Sequence, residues 1–160
     1  MQTFRSFSPL PALTTAGSAE PAMYHDLPSA AFLQVCFRQD TRLLTGRWQR
    51  SVTDEEMQQG YEALRLAALY HDCCFWLVDA RRRISRAQNG PEWVLTHFLP
   101  EVQSELGEVL HVSFLVLPDY LQTLENNPEA WPDSAVQYAR FVDEGAANAW
   151  LAACQAGRRA

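Results

Sequence analysis

Two hydrophobic periods alternate along the chain. Ala31-Phe32-Leu33-Gln34-Val35-Cys36-Phe37-Arg38 and Arg42-Leu43-Leu44-Thr45-Gly46-Arg47-Trp48 are strand-like runs separated by Gln39-Asp40-Thr41, which predicts a β-hairpin. Ala22-Met23-Tyr24-His25 is a short candidate strand ahead of it. The pattern then changes to a helical one. Thr53-Asp54-Glu55-Glu56 has the spacing of a capping box, in which the Thr hydroxyl accepts from a backbone N–H three residues on and Glu56 reaches back. Met57, Tyr61, Leu64 and Ala68 continue at helical spacing to an end near Tyr70-His71-Asp72.

From Cys73 to Asp79 the chain is apolar on both alternating faces, as expected of a central strand covered by helices, and it stops at a carboxylate followed by Arg81, Arg82 and Arg83. A second helix is predicted from Asn89-Gly90-Pro91, or from as early as Ser85, with Trp93, Val94, Phe98, Val102 and Leu106 along one side. Pro100 falls inside that pattern and should bend or interrupt it, and Gly107 should close it. Val109 to Leu117 is another interior strand, ended by Pro118. Asp119 to Leu124 is long enough for one or two helical turns, and Asn126 to Pro132 has loop chemistry. Val136 to Val142 alternates as an edge strand does, and Asp143 caps a last helix carrying Ala147, Trp150, Leu151 and Cys154 on one side.

Strands separated by helices require crossover connections and hence parallel pairing. The expected fold is therefore α/β: a single mixed, mostly parallel β-sheet with an N-terminal antiparallel hairpin and amphipathic helices packed on it. Residues 1–21, interrupted by Ser6, Ser8, Pro9 and Pro11, read as a flexible tail, 22–156 as one domain and 157–160 as a short C-terminal tail. Ala16-Gly17-Ser18-Ala19 is similar to a signal-peptidase site but lacks the preceding apolar stretch, and no run approaches the ~20 apolar residues of a membrane span.

Charge and chemistry narrow the function further. A net charge of -6 disfavours nucleic acid and anionic membranes as partners. Cys36, Cys73, Cys74 and Cys154 have neither metal spacing nor a disulfide framework, and three of them fall in predicted strands, so a reduced, cytoplasmic protein is the simplest reading. His25, His97 and His111 are scattered without a ligand set, and no metal or other cofactor is expected. No catalytic residue is assigned. His71-Asp72 beside Cys73-Cys74 does not make a nucleophile arrangement, because neighbours on a strand point to opposite faces.

One charged constellation stands out: Asp79 with Arg81, Arg82, Arg83 and Arg86. Guanidinium forks at a strand's carboxyl end, leading into a helix start, could hold a phosphate or carboxylate. The plainer reading is a solvated loop in which Asp79 pairs with an Arg. Trp131, between Ala130 and Pro132, either anchors a partner or covers the edge of the core.

Phe75-Trp76-Leu77-Val78-Asp79, Trp93 with Leu99-Pro100, Phe114-Leu115-Val116-Leu117-Pro118-Asp119, and Phe141-Val142-Asp143-Glu144 through Trp150-Leu151 follow in an order that resembles the SpoIIAA-like proteins. That family is the bacterial branch of the STAS group and shares its plan with CRAL-TRIO lipid-transfer domains. The likeness spans Met23 to Cys154. It implies a non-catalytic regulatory or protein-interaction module, with a protein partner and a homodimer open to it. The alternative it implies is a binder of a lipid or other small amphipathic anion between helices and sheet. Better-known STAS domains are switched by phosphorylation of a Ser in an Asp-Ser-(Ser/Thr)-Gly turn. Here that turn aligns with Ala87-Gln88-Asn89-Gly90, which lacks the phosphoacceptor, with Ser85 nearby but outside the motif. The surface expected to bind an anion or partner is thus Asp79, Arg81, Arg82, Arg83, Ser85, Arg86 and Asn89.

Overall fold

The computed structural model describes residues 24–26, 31–83, 90–123 and 135–159. The 1–21 segment, Ser85, Arg86, Asn89, the 126–132 loop and its Trp131 lie outside the described residues. The elements are β1 (Tyr24–Asp26), β2 (Leu33–Arg38), β3 (Leu43–Trp48), α1 (Asp54–His71), β4 (Phe75–Asp79), α2 (Gly90–Trp93), a π-helical turn (Val94–Phe98), α3 (Leu99–Leu106), β5 (Leu110–Leu115), α4 (Pro118–Thr123), β6 (Val136–Phe141) and α5 (Glu144–Arg159). They form an α/β fold with one mixed sheet in the order β1-β2-β3-β4-β5-β6. β1, β2 and β3 pair antiparallel, while β3, β4, β5 and β6 pair in parallel. The hairpin therefore carries the antiparallel pairs at one side, as its short polar turn requires.

Because the strand order never reverses, same-handed crossovers bring successive helices to one face. On that face Leu33, Val35, Phe37, Leu44, Trp48, Trp76, Val78 and Val112 are buried. Tyr61 of α1 meets Trp48 at 5.5 Å between ring centroids and Phe98 at 5.2 Å, and Phe98 also meets Trp76. Contact between α1 and β3 is close: a Cβ on Gly60 would lie 2.4 Å from Cη2 of the fully buried Trp48, so this helix position must be glycine for the indole to fit.

α1 begins with the expected capping box, in which the Thr53 hydroxyl accepts from the Glu56 backbone N–H (3.1 Å) and the Glu56 carboxylate accepts from the Thr53 N–H (3.1 Å). It ends at Asp72, whose left-handed backbone (φ 54°) turns the chain toward β4. There the Arg42 guanidinium donates to the carbonyls of His71 (2.7 Å) and Asp72 (3.1 Å), placing a cation at the helix's negative end.

Some boundaries move. The central strand starts at Phe75, so Cys73 and Cys74 precede it, and only Cys36 lies within a strand among the cysteines expected there. The Cys73 N–H still donates to Ala68 O (2.9 Å), which ties that residue to the end of α1. Its buried thiol is pushed up to about 11 by loss of solvent, as suits an inert packing residue. β5 is Leu110–Leu115, shorter than its apolar run: Val116 makes a last bond to β6, its N–H donating to Phe141 O, and the chain then turns into the helix that Pro118 opens.

Pro100 interrupts its helix one turn ahead of itself. Pro has no N–H to give to Thr96 O, and its ring would crowd that carbonyl. The backbone widens instead into the π-helical turn, where the Leu99 N–H donates to Val94 O, five residues back.

The opposite face is covered by α5. Trp150 packs on Phe141 and on His111, His111 stacks on Phe75 (5.1 Å, 7°), and Arg158 lies over Phe75 while pairing with Glu108. Helical structure continues to Arg159, through residues expected as tail. Burial beneath α5 pushes the His111 imidazole below its ordinary 6.5, an effect only partly opposed by its hydrogen bond with Gln137. The unfolded chain thus binds this proton more readily than the folded one, so the His111 contribution is whole above about pH 6.5 and is lost as pH falls through the folded value. Melting temperature should drop between pH 7.5 and 5.5, and His111→Gln should flatten that drop. An unchanged slope in the variant would remove His111 as its source.

Candidate functional site

At the carboxyl end of the parallel strands, three elements bring charged side chains together on the α5 face. β3 and β4 pair in a register that sets Arg47 beside Asp79. Alternation along β3 sends Leu44, Gly46 and Trp48 to the α1 face and Arg47 to the other. α5 adds Glu144, its first residue. Asp143 caps that helix, its side chain accepting from the Ala146 N–H at 2.8 Å.

Asp79 is almost buried (7% exposed) and fully engaged. Its Oδ1 accepts from the Arg81 backbone N–H (3.1 Å) and from Arg81 Nε (2.9 Å), and its Oδ2 accepts from Arg81 Nη2 (2.8 Å) and Arg47 Nη1 (2.8 Å). Arg47 in turn donates to both oxygens of Glu144, at 3.2 and 2.6 Å. Burial by itself would raise the Asp79 carboxyl, but the Arg81 side chain, the Arg81 N–H and Arg47 outweigh it and hold the group below its ordinary 3.8. Arg81 and Arg47 are raised correspondingly, Arg81 chiefly by its bonds to Asp79 and Arg47 chiefly by those to Glu144.

The cluster holds two guanidinium groups and two carboxylates and is neutral as a whole. Its carboxylate is ionised and has its oxygens occupied by donors, so Asp79 is not placed to take a proton from a substrate, nor Arg81 to receive an anion without first leaving Asp79.

The loop arginines do not converge. Arg81 turns to Asp79 on the α5 face. Arg82 is exposed and reaches Gln49 Oε1 at 3.4 Å. Arg83 crosses to the other face, where its guanidinium lies over the Trp48 ring (5.3 Å) and its Nη1 lies 3.3 Å from Met57 Sδ. The expected surface is thus divided by the sheet itself. Asp79 and Arg81 belong to the ion-paired cluster, and Arg83 belongs to an aromatic corner beneath α1.

Sequence reasoning did not pick out Arg47 and Glu144. The strand alternation placing Arg47 opposite Trp48 was legible, and so was the cap that starts α5 at Glu144. What could not be read was the β3–β4 register, because the whole of α1 separates those strands.

Beside the cluster, Leu117 and Val142 follow the ends of the neighbouring strands β5 and β6, joined just before by the Val116 N–H donating to Phe141 O at 2.8 Å. Both are exposed (43% and 42%), as is Tyr120 (38%) in the first turn of α4. No group of three or more His, Cys, Asp or Glu side chains able to hold a metal ion occurs among the described residues, and none of their helices is long and apolar enough to cross a membrane. Compared with protein-family models, with curated proteins and with solved structures, the chain matches none.

Proposed function

We propose that the protein is a non-catalytic regulatory or interaction module of the SpoIIAA-like STAS type, which docks a protein partner at the carboxyl end of its sheet. The observation that carries this reading is the exposure of Leu117 and Val142, which follow the paired ends of β5 and β6, and of Tyr120, three residues beyond Leu117. An apolar surface of this kind at the strand ends, next to the Arg47-Asp79-Arg81-Glu144 cluster, has the arrangement of a protein interface: desolvated side chains inside, charge at the edge. The neutral cluster supports the reading too, since it adds rigidity and hydrogen-bonding rim atoms without a net charge to desolvate. It also fits a non-catalytic role, because Asp79, the carboxylate at the end of β4, is saturated by arginine donors.

The experiment is affinity capture with identification of the bound protein, followed by native mass spectrometry of the complex. Leu117→Ser with Val142→Ser should abolish the complex and leave the fold intact. Tyr70→Ser, at an exposed ring (67%) at the far end of α1, should leave the complex unchanged. Retention of the partner by the double variant, or its loss with Tyr70→Ser alone, would move the interface away from the carboxyl end. A homodimer held by the same residues would appear in the same spectra as a doubled mass.

A further inference from the structure

A buried imidazole lies in the contact between α5 and the sheet. His111 of β5 is 8% exposed and touches two rings: Phe75 of β4 stacks on it (5.1 Å, 7°), and Trp150 of α5 meets it edge-on (6.0 Å, 63°). Its Nδ1 is buried without a hydrogen-bond partner among the described residues, so the bond with Gln137, its neighbour on β6, is made through Nε2. Ser113, next along the same face of β5, is fully buried and its hydroxyl likewise makes no hydrogen bond, so it does not serve Nδ1.

A neutral ring leaves Nδ1 unprotonated at little cost, whereas a proton there would bury an N–H and a positive charge with no acceptor. The charged groups around it do not compensate. Arg158 of α5 lies over the same Phe75 ring at 5.4 Å and is itself cationic, paired with Glu108 from the turn before β5. Cys74 and Cys154 are held as thiols by burial. Asp79 stands opposite Leu115, farther along β5, and both it and Glu144 are engaged by arginines. The core on the opposite face does not depend on α5. Tyr61 packs there with Trp48 and Phe98, Phe98 packs with Trp76, and Arg65 of α1 bridges to Glu105 of α3 at 2.8 Å.

We infer that α5 is an acid-sensitive latch: protonation of His111 frees the helix from the sheet while the sheet and the helices on its other face stay folded. With α5 closed, Nδ1 resists the proton. With α5 open, the imidazole is in water and titrates near its ordinary 6.5, so the closed state is fully stable above about that pH and loses stability as pH falls toward the lower closed-state value. Opening also carries Glu144 away from Arg47 and disturbs Val142, two residues ahead of α5. That last consequence, a docking surface dismantled by acid, rests on the docking reading, and the latch itself does not.

The test is hydrogen exchange of the full chain, without a partner, followed residue by residue by NMR. Protection of the α5 amides should fall by up to about tenfold between pH 7.5 and 5.5, the effect of one proton. At pH 5.5 it should be about tenfold or more below that of the α1 amides around the buried Leu64, which open only with the whole fold. His111→Gln should remove the pH dependence of α5. If circular dichroism shows that variant unfolded, His111→Phe, which keeps a ring beside Phe75 and Trp150, takes its place. Equal protection of α5 and α1, an α5 protection indifferent to pH, or a fall that persists in the variant used would overturn the latch. Because the measurement contains no partner, its failure and the failure of the docking surface are read separately.

Discussion

Asp79→Ala should destabilise the fold by about 2 to 3 kcal/mol, measured by urea denaturation at pH 7. The substitution removes four acceptor contacts and leaves Arg81, among the described residues, with only a 3.7 Å approach to Glu144. Breaking a buried ion pair from one side costs about 3 to 5 kcal/mol. The lower figure applies because Arg47 and Arg81 side chains remain 33% and 39% exposed, so water screens part of the orphaned charge, and because Glu144 still holds Arg47. Arg81→Ala in the Asp79→Ala background should cost far less than in the wild type, since the pair acts as a unit. The pH dependence carries a sign as well. With its folded value below 3.8, Asp79 contributes stability that is whole above that pH and is lost as pH falls through the folded value. Asp79→Ala should therefore soften acid unfolding below pH ~4. A loss under about 0.5 kcal/mol, the scale of an exposed pair, would show that the cluster is a surface feature.

Trp76→Ala should cost about 4 kcal/mol, within the range for removing a large aromatic side chain from a packed core. Trp76 is fully buried in the central strand, between Leu44 of β3 and Val112 of β5, and packs against Phe98 of the π-helical turn. Its indole N–H donates to Cys73 O at 3.1 Å, so truncation leaves both a cavity and a buried carbonyl without its donor. Trp76→Phe keeps much of the volume and loses the hydrogen bond, and should cost roughly half as much. A loss of this size is a large share of the ~5 to 15 kcal/mol that holds a domain together. The midpoint should shift with little change in denaturant slope, and a reduced slope would instead indicate a native state already loosened.

The two residues are three positions apart, and their legibility in the sequence differs. Trp76 could be placed in the core from the unbroken apolar run around it, because a strand apolar on both faces has to be covered on both. Asp79, at the end of that run, could be placed at a strand's carboxyl edge, but the direction in which its carboxylate turned could not be read. Three of its four donors belong to Arg81 and follow from local chain geometry. The fourth belongs to Arg47, which is 32 residues away, and the pairing of β3 with β4 brings it into reach.

Hydrophobic period, capping chemistry and turn residues are local quantities, and they determined the elements of this protein: the hairpin, the capped α1, the interior strands β4 and β5, the interruption ahead of Pro100 and the cap of α5. From them followed an α/β fold with parallel crossovers. Strand register and the face to which each loop residue turns depend on contacts between segments far apart in the chain, and no local pattern records them. Only the tertiary structure decided that Arg81 closes onto Asp79 beneath α5 while Arg83, two residues on, crosses to the Trp48 side. Backbone geometry in the turn after β4, where the Arg83 N–H donates to Ala80 O at 3.2 Å, divides the three consecutive arginines between the two faces of the sheet.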